Sequence, residues 1–434
     1  MSAEPYSGRL ADGWRASRRI LVTEASAIGM IAVIRSLGRA GYQVHACSSD
    51  PHALGLRSRY ATQSAVHPDY DDPRFLAWLE KNVAEHGIAA IVPSEGFLHA
   101  IRPVFATYAP LMAMSQREND AYCAFSKCEV HAVLSRASAD ARLLDNMPTS
   151  LLIRESDVLP TLGELARFRL PIFIKCDAGK ARASRESAIV RALTYEHALA
   201  TITRLRQSYS AILIQGYVPG SRVVADFCVW NDEIIAQSMM TARHECPHYG
   251  GISTLRSIWW HQAIWDDATR RLRRLGWNGC AMMEYRHDPA TGGFYFIEIN
   301  ARYWTGLHTE LFAGIDIPRI QMDAFFGQPA SDPCPSGKPV WCRYTVPGEI
   351  GYVTSIVKDR TLPAWRKLWA VTEFFLLTLH PRMRSDLNFP GDRKLYYLAW
   401  FRFLRQLFSR QTSMGGLPKV EAGHRSLRKA KPPH

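Results

Sequence analysis

Glu284, Glu298 and Asn300 are the residues whose types and spacing most directly suggest chemistry. They lie in Cys280-Ala-Met-Met-Glu284-Tyr-Arg-His-Asp-Pro-Ala-Thr-Gly-Gly-Phe294-Tyr-Phe-Ile-Glu298-Ile-Asn300. Two strand-like runs flank a loop of Asp, Pro, Thr and Gly, which signals a hairpin. A hairpin symmetric about Thr291 sets Glu284 opposite Glu298, and the two-residue period of a strand puts Asn300 on the face of Glu298. Carboxylates facing each other across a ladder repel. At about 5 Å and an effective dielectric of about 20 this costs on the order of 3 kcal/mol. A divalent cation reverses the sign, and Mg²⁺ takes hard oxygen ligands while sharing phosphate oxygens. The alternative is that one glutamate faces solvent or pairs with Arg286 or Arg302.

Lys175 closes the apolar run Leu170-Pro-Ile-Phe-Ile-Lys175. An ammonium at a strand end can hold phosphates across a cleft; the alternative is a lysine that snorkels to solvent. Other constellations carry less. His244, Cys246 and His248 alternate, but a fourth ligand is missing and Pro247 interrupts, so zinc is not supported. The turn from Thr23 to Gly29 lacks the Gly-x-Gly-x-x-Gly pattern of dinucleotide sites. Ser94-Glu95 reads as the start of a helix, the less favoured alternative being a pair that faces a cleft.

Several ordered segments together resemble the ATP-grasp superfamily, in particular the predicted carboligases and carboxylate–amine ligases related to the large subunit of carbamoyl phosphate synthetase. Leu275-Gly-Trp-Asn-Gly279 leads into Met283-Glu284-Tyr285. Phe296-Ile-Glu298-Ile-Asn300-Ala-Arg302-Tyr-Trp304 resembles the Glu-x-Asn-x-Arg signature, and Ala313-Gly-Ile-Asp-Ile-Pro318 resembles the helix end that follows it. The resemblance spans residues 18 to 330.

That resemblance implies ATP and Mg²⁺ (or Mn²⁺), with Glu284, Glu298 and Asn300 as metal ligands. Arg302 would neutralise the transferred phosphoryl group, a role that suits the guanidinium fork. Lys127, in Phe125-Ser-Lys127, and Lys175 would reach the nucleotide. Gln215-Gly216-Tyr217-Val218 would form the hinge whose backbone meets adenine, Gly216 to Val218 in particular. Arg243 would bind the γ-phosphate or a substrate carboxylate, an exposed loop arginine being the equal alternative. The implied reaction activates a carboxylate as an acyl phosphate and joins it to an amine, both small molecules. Two departures stand out. The segment 178–187, where a glycine-rich phosphate flap is expected, has only Gly179 but carries Lys180, Arg182 and Arg185, and the hinge has Gly216 where relatives carry an acid. A non-catalytic nucleotide-binding or membrane-associated scaffold on the same fold is the alternative.

The elements that must hold these residues follow from periodicity. Arg19 to Glu24 reads as a strand, Ile31 to Leu37 as a helix closed by Gly38 and Gly41, and Tyr42 to Cys47 as a strand, which together open a parallel sheet. Helices are expected at 75–85 and 127–134, and strands at 88–92, 172–175, 211–218, 223–230 and 233–239. The expected fold is α/β and α+β: a flexible N-terminus (1–17), a Rossmann-like pre-ATP-grasp domain (18–115), and a two-subdomain ATP-grasp domain (116–330, with a lid at about 140–217). A C-terminal strand region (331–358), a helical extension (359–410) and a disordered basic tail (411–434) follow.

Composition sets the class. The chain has 434 residues, 47% of them hydrophobic, enough for two or three domains. Nine cysteines are scattered without a Cys-x-x-Cys pair, which fits reduced thiols better than a disulfide framework. Neither a signal segment nor an apolar run of roughly 20 residues is present, so a cytoplasmic protein is expected. The net charge of +13 is concentrated toward the C-terminus, and no nucleic-acid motif accompanies it. Tyr397, Trp400, Phe401, Leu404, Leu407 and Phe408 form a helical stripe there. Packing of this stripe on the body is favoured, and peripheral membrane contact through a basic interfacial helix pair is the alternative.

Overall fold

The computed structural model describes residues 13–136, 142–177, 188–329 and 340–411. The first sheet is parallel, in the order β3-β2-β1-β4, from β1 (Arg19–Val22), β2 (Gln43–Ser48), β3 (Gln63–Val66) and β4 (Ala90–Val92). Ile20, Leu21 and Val22 are all fully buried, because helices cover both faces of such a sheet. Helix α1 (Ile28–Arg39) makes the crossover from β1 to β2. The chain then turns through Gly41, at the left-handed φ of 98° that glycine adopts without strain. Helices α2 (Arg74–His86) and α3 (Glu95–Ile101) complete the domain.

After α4 (Lys127–Ser135) comes an antiparallel sheet in the order β5-β8-β6-β7. Its strands are β5 (Ser150–Arg154), β6 (Ile172–Cys176), β7 (Ala188–Ala192) and β8 (Ala211–Gln215). Alternate residues Ile172, Ile174, Ile212 and Ile214 are buried under Ala198 and Ile202 of helix α5 (Tyr195–Arg206).

The third sheet has seven strands in the order β13-β12-β9-β10-β11-β14-β15. They are β9 (Ser221–Trp230), β10 (Glu233–Cys246), β11 (Ile252–Ile258), β12 (Gly279–His287), β13 (Phe294–Asn300), β14 (Trp341–Arg343) and β15 (Arg384–Ser385). Phe227, Ala281, Met283 and Tyr285 share a core with Ile264, Ala268 and Leu272 of α6 (Gln262–Leu275). The opposite face, with Cys228, Met240 and Cys280, belongs to the core shared with β1, α1, α7 (His308–Ala313) and α8 (Ile317–Phe325). One sheet thus joins the N-terminal domain to the rest. Helices α9 (Ile350–Lys358), α10 (Ala364–Leu379) and α11 (Lys394–Gln411) form the C-terminal extension.

Four expectations change. Residues 13–17 are not free: Arg15 makes a bidentate pair with Asp323, at 2.9 and 2.8 Å. In the region 331–358 only Trp341–Arg343 is strand and Ile350–Lys358 is helix, while 330–339 lie outside the described residues. Arg243 to Cys246 belongs to β10 and Ile252 starts the returning strand, so the loop is only a tight turn. Register shifts at Ala242/His244 and His244/Glu245 broke the alternation that would have revealed the pairing. Finally, the C-terminal stripe is not packed away: Tyr397, Phe401 and Leu404 are exposed. What α11 buries is Leu395 and Ala399, against Ile31 and Leu387. The expected phosphate flap (178–187) and the tail from 412 onward lie outside the described residues.

Candidate active site

From Glu284 outward the hairpin has the expected register. Glu284 pairs with Glu298 and Met282 with Asn300. A register shift follows Glu284, so that Tyr285 pairs with Phe296 and Ile297 is left without a ladder partner. Such a bulge frees backbone groups and re-aims side chains. Here the Ile297 carbonyl accepts from Lys175 Nζ at 3.5 Å.

Glu298 is the centre of the cluster. Its Oε2 lies 3.8 Å from Lys127 Nζ and 3.7 Å from Lys175 Nζ, and Asn300 Nδ2 donates to its Oε1 at 3.3 Å. Burial alone would push the Glu298 carboxyl up. The charges of Lys127, Lys175 and Arg222 outweigh it and hold the group at about 2. Glu284 moves the other way: burial raises it despite its contact with the Arg222 guanidinium, and the charge on Glu298 raises it further. Lys175 is lowered by burial, with Glu298 opposing, whereas Lys127 is raised, chiefly by Glu298.

This arrangement corrects part of the electrostatic argument. The two facing glutamates do not depend on a divalent ion alone, because three buried or nearly buried cations already offset their repulsion. The bland pairing with Arg286 or Arg302 is not what occurs. Arg286 makes a bidentate pair with Glu245, at 2.8 and 3.0 Å. Arg302 Nε donates to Glu95 at 3.1 Å, and its Nη2 reaches Asn300 Oδ1 at 3.4 Å. Glu95 opens α3, where the Ser94 hydroxyl accepts from the Phe97 N–H as an N-cap. The N-terminal domain therefore reaches into the cluster through Glu95 and Arg302. A close backbone approach supports this: a Cβ on Gly29 of α1 would lie 2.4 Å from the Trp304 carbonyl oxygen.

Lys127, Gln215 and Glu298 line one cavity, with His131, Met147, Leu213 and Phe296 among its walls. It lies between the end of the lid strand β8, the start of α4 and strand β13. The hinge expectation becomes narrower. The Gly216 N–H donates to the Thr149 carbonyl at 2.9 Å and the Tyr217 N–H to the Arg169 carbonyl at 2.8 Å. Among the described residues the Val218 N–H meets no backbone carbonyl, so of the three amides it is the one free to meet a ligand. Tyr217 is partly exposed beneath the Arg169 guanidinium, 5.2 Å from its ring centre.

Arg243 is placed elsewhere. Its guanidinium contacts Glu373 of α10. His244 lies between Glu349 (3.1 Å) and Glu373 (3.4 Å), and His248 meets Ser355 (2.9 Å) and Asp359 (3.1 Å). These imidazoles tie β10 to the C-terminal helices.

Two contributors escaped the sequence reading. Asp177, one residue beyond β6, accepts from the Ser126 hydroxyl at 2.5 Å, from the Lys127 N–H at 2.7 Å and from the Cys128 N–H at 3.0 Å. A carboxylate at a helix N-terminus satisfies orphan donors and the helix dipole, and here it ties the lid strand that carries Lys175 to the helix that carries Lys127. Arg222, at the start of β9, contacts Glu284 and the Gly251 carbonyl and lies 3.8 Å from Glu245.

A divalent ion is a reasonable guest for the hairpin. Glu284, Glu298 and Asn300 offer oxygen donors only, Glu298 is ionised, and Mg²⁺ characteristically needs one or two carboxylates while phosphates and water complete its shell. Among the described residues no group of three acidic, His or Cys side chains forms a full cage.

The fold is that of ATP-grasp proteins. Residues 208–345, which include the whole hairpin, match the family described as ATP-grasp in the biosynthetic pathway with Ter operon. Among solved structures, N5-carboxyaminoimidazole synthetase from Staphylococcus aureus complexed with ADP has a TM-score of 0.56 at 14% identity, over 75% of this chain and 81% of that one. L-amino acid ligase from Bacillus licheniformis has a TM-score of 0.51 at 13% identity, over 71% and 74% of the two chains. Phosphoribosylglycinamide synthetase from Anaerococcus prevotii has a TM-score of 0.50 at 13% identity, over 72% and 75%. At these identities the likeness establishes the fold. No curated protein sequence matches the chain.

Proposed function

We propose that this chain is an ATP- and Mg²⁺-dependent ligase that activates a small-molecule carboxylate as an acyl phosphate and joins it to an amine. The observation that carries this reading is the ionised Glu298 between Lys127 and Lys175, at the wall of a cavity that also holds Gln215. ATP would lie in that cavity with adenine toward the Val218 N–H and its phosphates toward Lys127 and Lys175. A metal held by Glu284, Glu298 and Asn300 would neutralise charge between the phosphates.

The protein's own groups do the rest. Lys175, desolvated and fixed on a strand, is a point charge that needs no reorganisation when the phosphoryl group moves. Arg302, oriented by Glu95, offers its remaining N–H donors to the transferring group. Displacement of this kind rests on positioning and charge, so no side-chain nucleophile is required. A ligase fold with an N5-carboxyaminoimidazole synthetase bound to ADP and an L-amino acid ligase among its likenesses supports the class of reaction.

The contact between Arg222 and Glu284 favours one rival, a nucleotide-binding protein that does not turn over, because that glutamate already has a cation. ADP release against pooled amino acids and small acids separates the two. Turnover that needs both an acid and an amine, and that is lost in Glu298→Ala, supports the ligase. ATP binding without turnover supports the rival, and ATP hydrolysis indifferent to both pools excludes the proposed reaction.

A further inference from the structure

The C-terminal extension presents an apolar face that the fold leaves uncovered among the described residues. On α10, Trp365, Leu368, Trp369, Leu376 and Leu379 are all exposed, with relative accessibilities of 64%, 70%, 53%, 54% and 80%. Their spacings of three, one, seven and three residues place them on one side of a helix with 3.6 residues per turn. The opposite side is the buried one. Ala370 and Glu373 face inward, Glu373 holding Arg243 and His244, and Arg343 lies 4.7 Å from the Phe374 ring. Helix α11 repeats the pattern: Leu395 and Ala399 are buried while Tyr397, Phe401 and Leu404 are exposed. Isolated surface apolar residues are ordinary, but a continuous helical stripe marks an interaction site.

The charge around it identifies the partner. Every acid between 357 and 407 is engaged in the body of the protein: Asp359 with His248, Glu373 with Arg243 and His244, Asp386 with Arg256, and Asp392 with Arg35. The exposed charges of the same stretch are cations, among them Lys358, Arg360, Arg366, Arg382, Arg393 and Arg405, and none of these six is in an ion pair among the described residues. A second copy would bring the same cations to the interface and be repelled. The remaining sequence, 412–434, is itself rich in cations and has few large apolar residues with which to fill the stripe. Helices with Trp, Phe and Leu on one side and only Lys and Arg at the margins match the boundary between the headgroups and acyl chains of an anionic bilayer. No described helix is long and apolar enough to cross a membrane, so contact would be at the surface.

We infer that α10 and α11 dock this protein on anionic lipid membranes, with Trp365, Trp369 and Leu376 inserted at the interface. The inference is independent of the ligase reading. The test is co-sedimentation of the full chain with vesicles of phosphatidylcholine alone and of phosphatidylcholine with phosphatidylglycerol in equal amounts. Binding to the anionic vesicles is expected to exceed binding to the neutral ones by about tenfold or more and to weaken with added salt. The double variant Trp369→Glu/Leu376→Glu should lose it by a similar factor. Both sites are exposed, so its melting temperature and ATP binding should match the parent, which separates lost docking from lost folding. Equal binding to both vesicle types, or anionic binding untouched by the double variant, overturns the inference. So does an absence of vesicle binding together with a dimer that the double variant dissolves, since the face would then belong to a second copy.

Discussion

Two pairs of acids, one within the seven-stranded sheet and one between that sheet and a helix, solve the same problem in opposite ways. Glu284 and Glu298 face each other across β12 and β13. Asp226 of β9, opposite Met282, meets Glu310 of α7. Both pairs are taken out of water, which penalises the charged form. Around the first pair the fold gathers Lys127, Lys175 and Arg222, and Glu298 stays ionised down to about 2. Around the second, Arg256 is nearby but is engaged by Asp386 at 2.5 Å. Burial pushes Asp226 well up, with the charge on Glu310 adding to it, and pushes Glu310 up to about 7. Neither Asp226 oxygen finds an N–H or O–H donor among the described residues. One pair is surrounded by cations that keep it charged, and the other, without a free cation beside it, is shifted toward the protonated form. Acidity alone did not distinguish them; the cations brought by the lid and by α4 do.

The comparison breaks most visibly at Glu298. Glu298→Gln keeps the shape but removes the charge that both lysines face, and ADP formation should fall by about 10²- to 10³-fold. Turnover within tenfold of the parent would place the chemistry elsewhere. Arg222 comes next. Its replacement by Met leaves Glu284 buried beside Glu298 without its guanidinium, and breaking one partner of a buried pair costs about 3–5 kcal/mol. Urea denaturation should show that loss, and the double variant Arg222→Met/Glu284→Gln should regain most of it. If the double variant is no more stable than the single one, the pair does not act as a unit and Arg222 serves another partner.

Some of this was legible in the residues and some was not. The hairpin could be read because it is local: symmetry about Thr291 set Glu284 against Glu298, although the pairs between Glu284 and the loop are offset by one residue. Lys175 was legible from its place at a strand end, and Lys127 only from the resemblance of Phe125-Ser-Lys127. Asp177 was not, because its three donors lie some fifty residues earlier and nothing in Cys176-Asp-Ala announces them. Arg222, just before the strand expected at 223–230, was not singled out, because its partners Glu284 and Glu245 come from two other strands. Strands β3, β5, β7 and β11 were missed for a related reason. Their alternation is weak or interrupted: β3, Gln-Ser-Ala-Val, buries none of its four residues. The stripe on α11 was seen but assigned inward, since helical periodicity reveals an apolar face and not what covers it.

The smallest effect is the sharpest probe of the second pair. An acid whose folded pKa is raised binds its proton more tightly in the native state than in the unfolded chain. From the ordinary carboxylate range up to about 7 the native protein therefore keeps a proton that the unfolded chain has lost, and stability declines as pH rises through that window. The slope is about 1 kcal/mol per pH unit for each proton retained. Asp226→Asn removes one acid and brings an amide N–H near Glu310, so Glu310 can ionise without a second carboxylate beside it. We expect the variant to be about 1 kcal/mol more stable than the parent near pH 7, with a flatter profile between pH 5 and 7 and unchanged ADP release. Guanidinium denaturation across that range reads both quantities. An unchanged slope would mean that Asp226 and Glu310 titrate independently of each other. A less stable variant would mean that the aspartate is held by a cation, and the contrast between the two acid pairs would be lost.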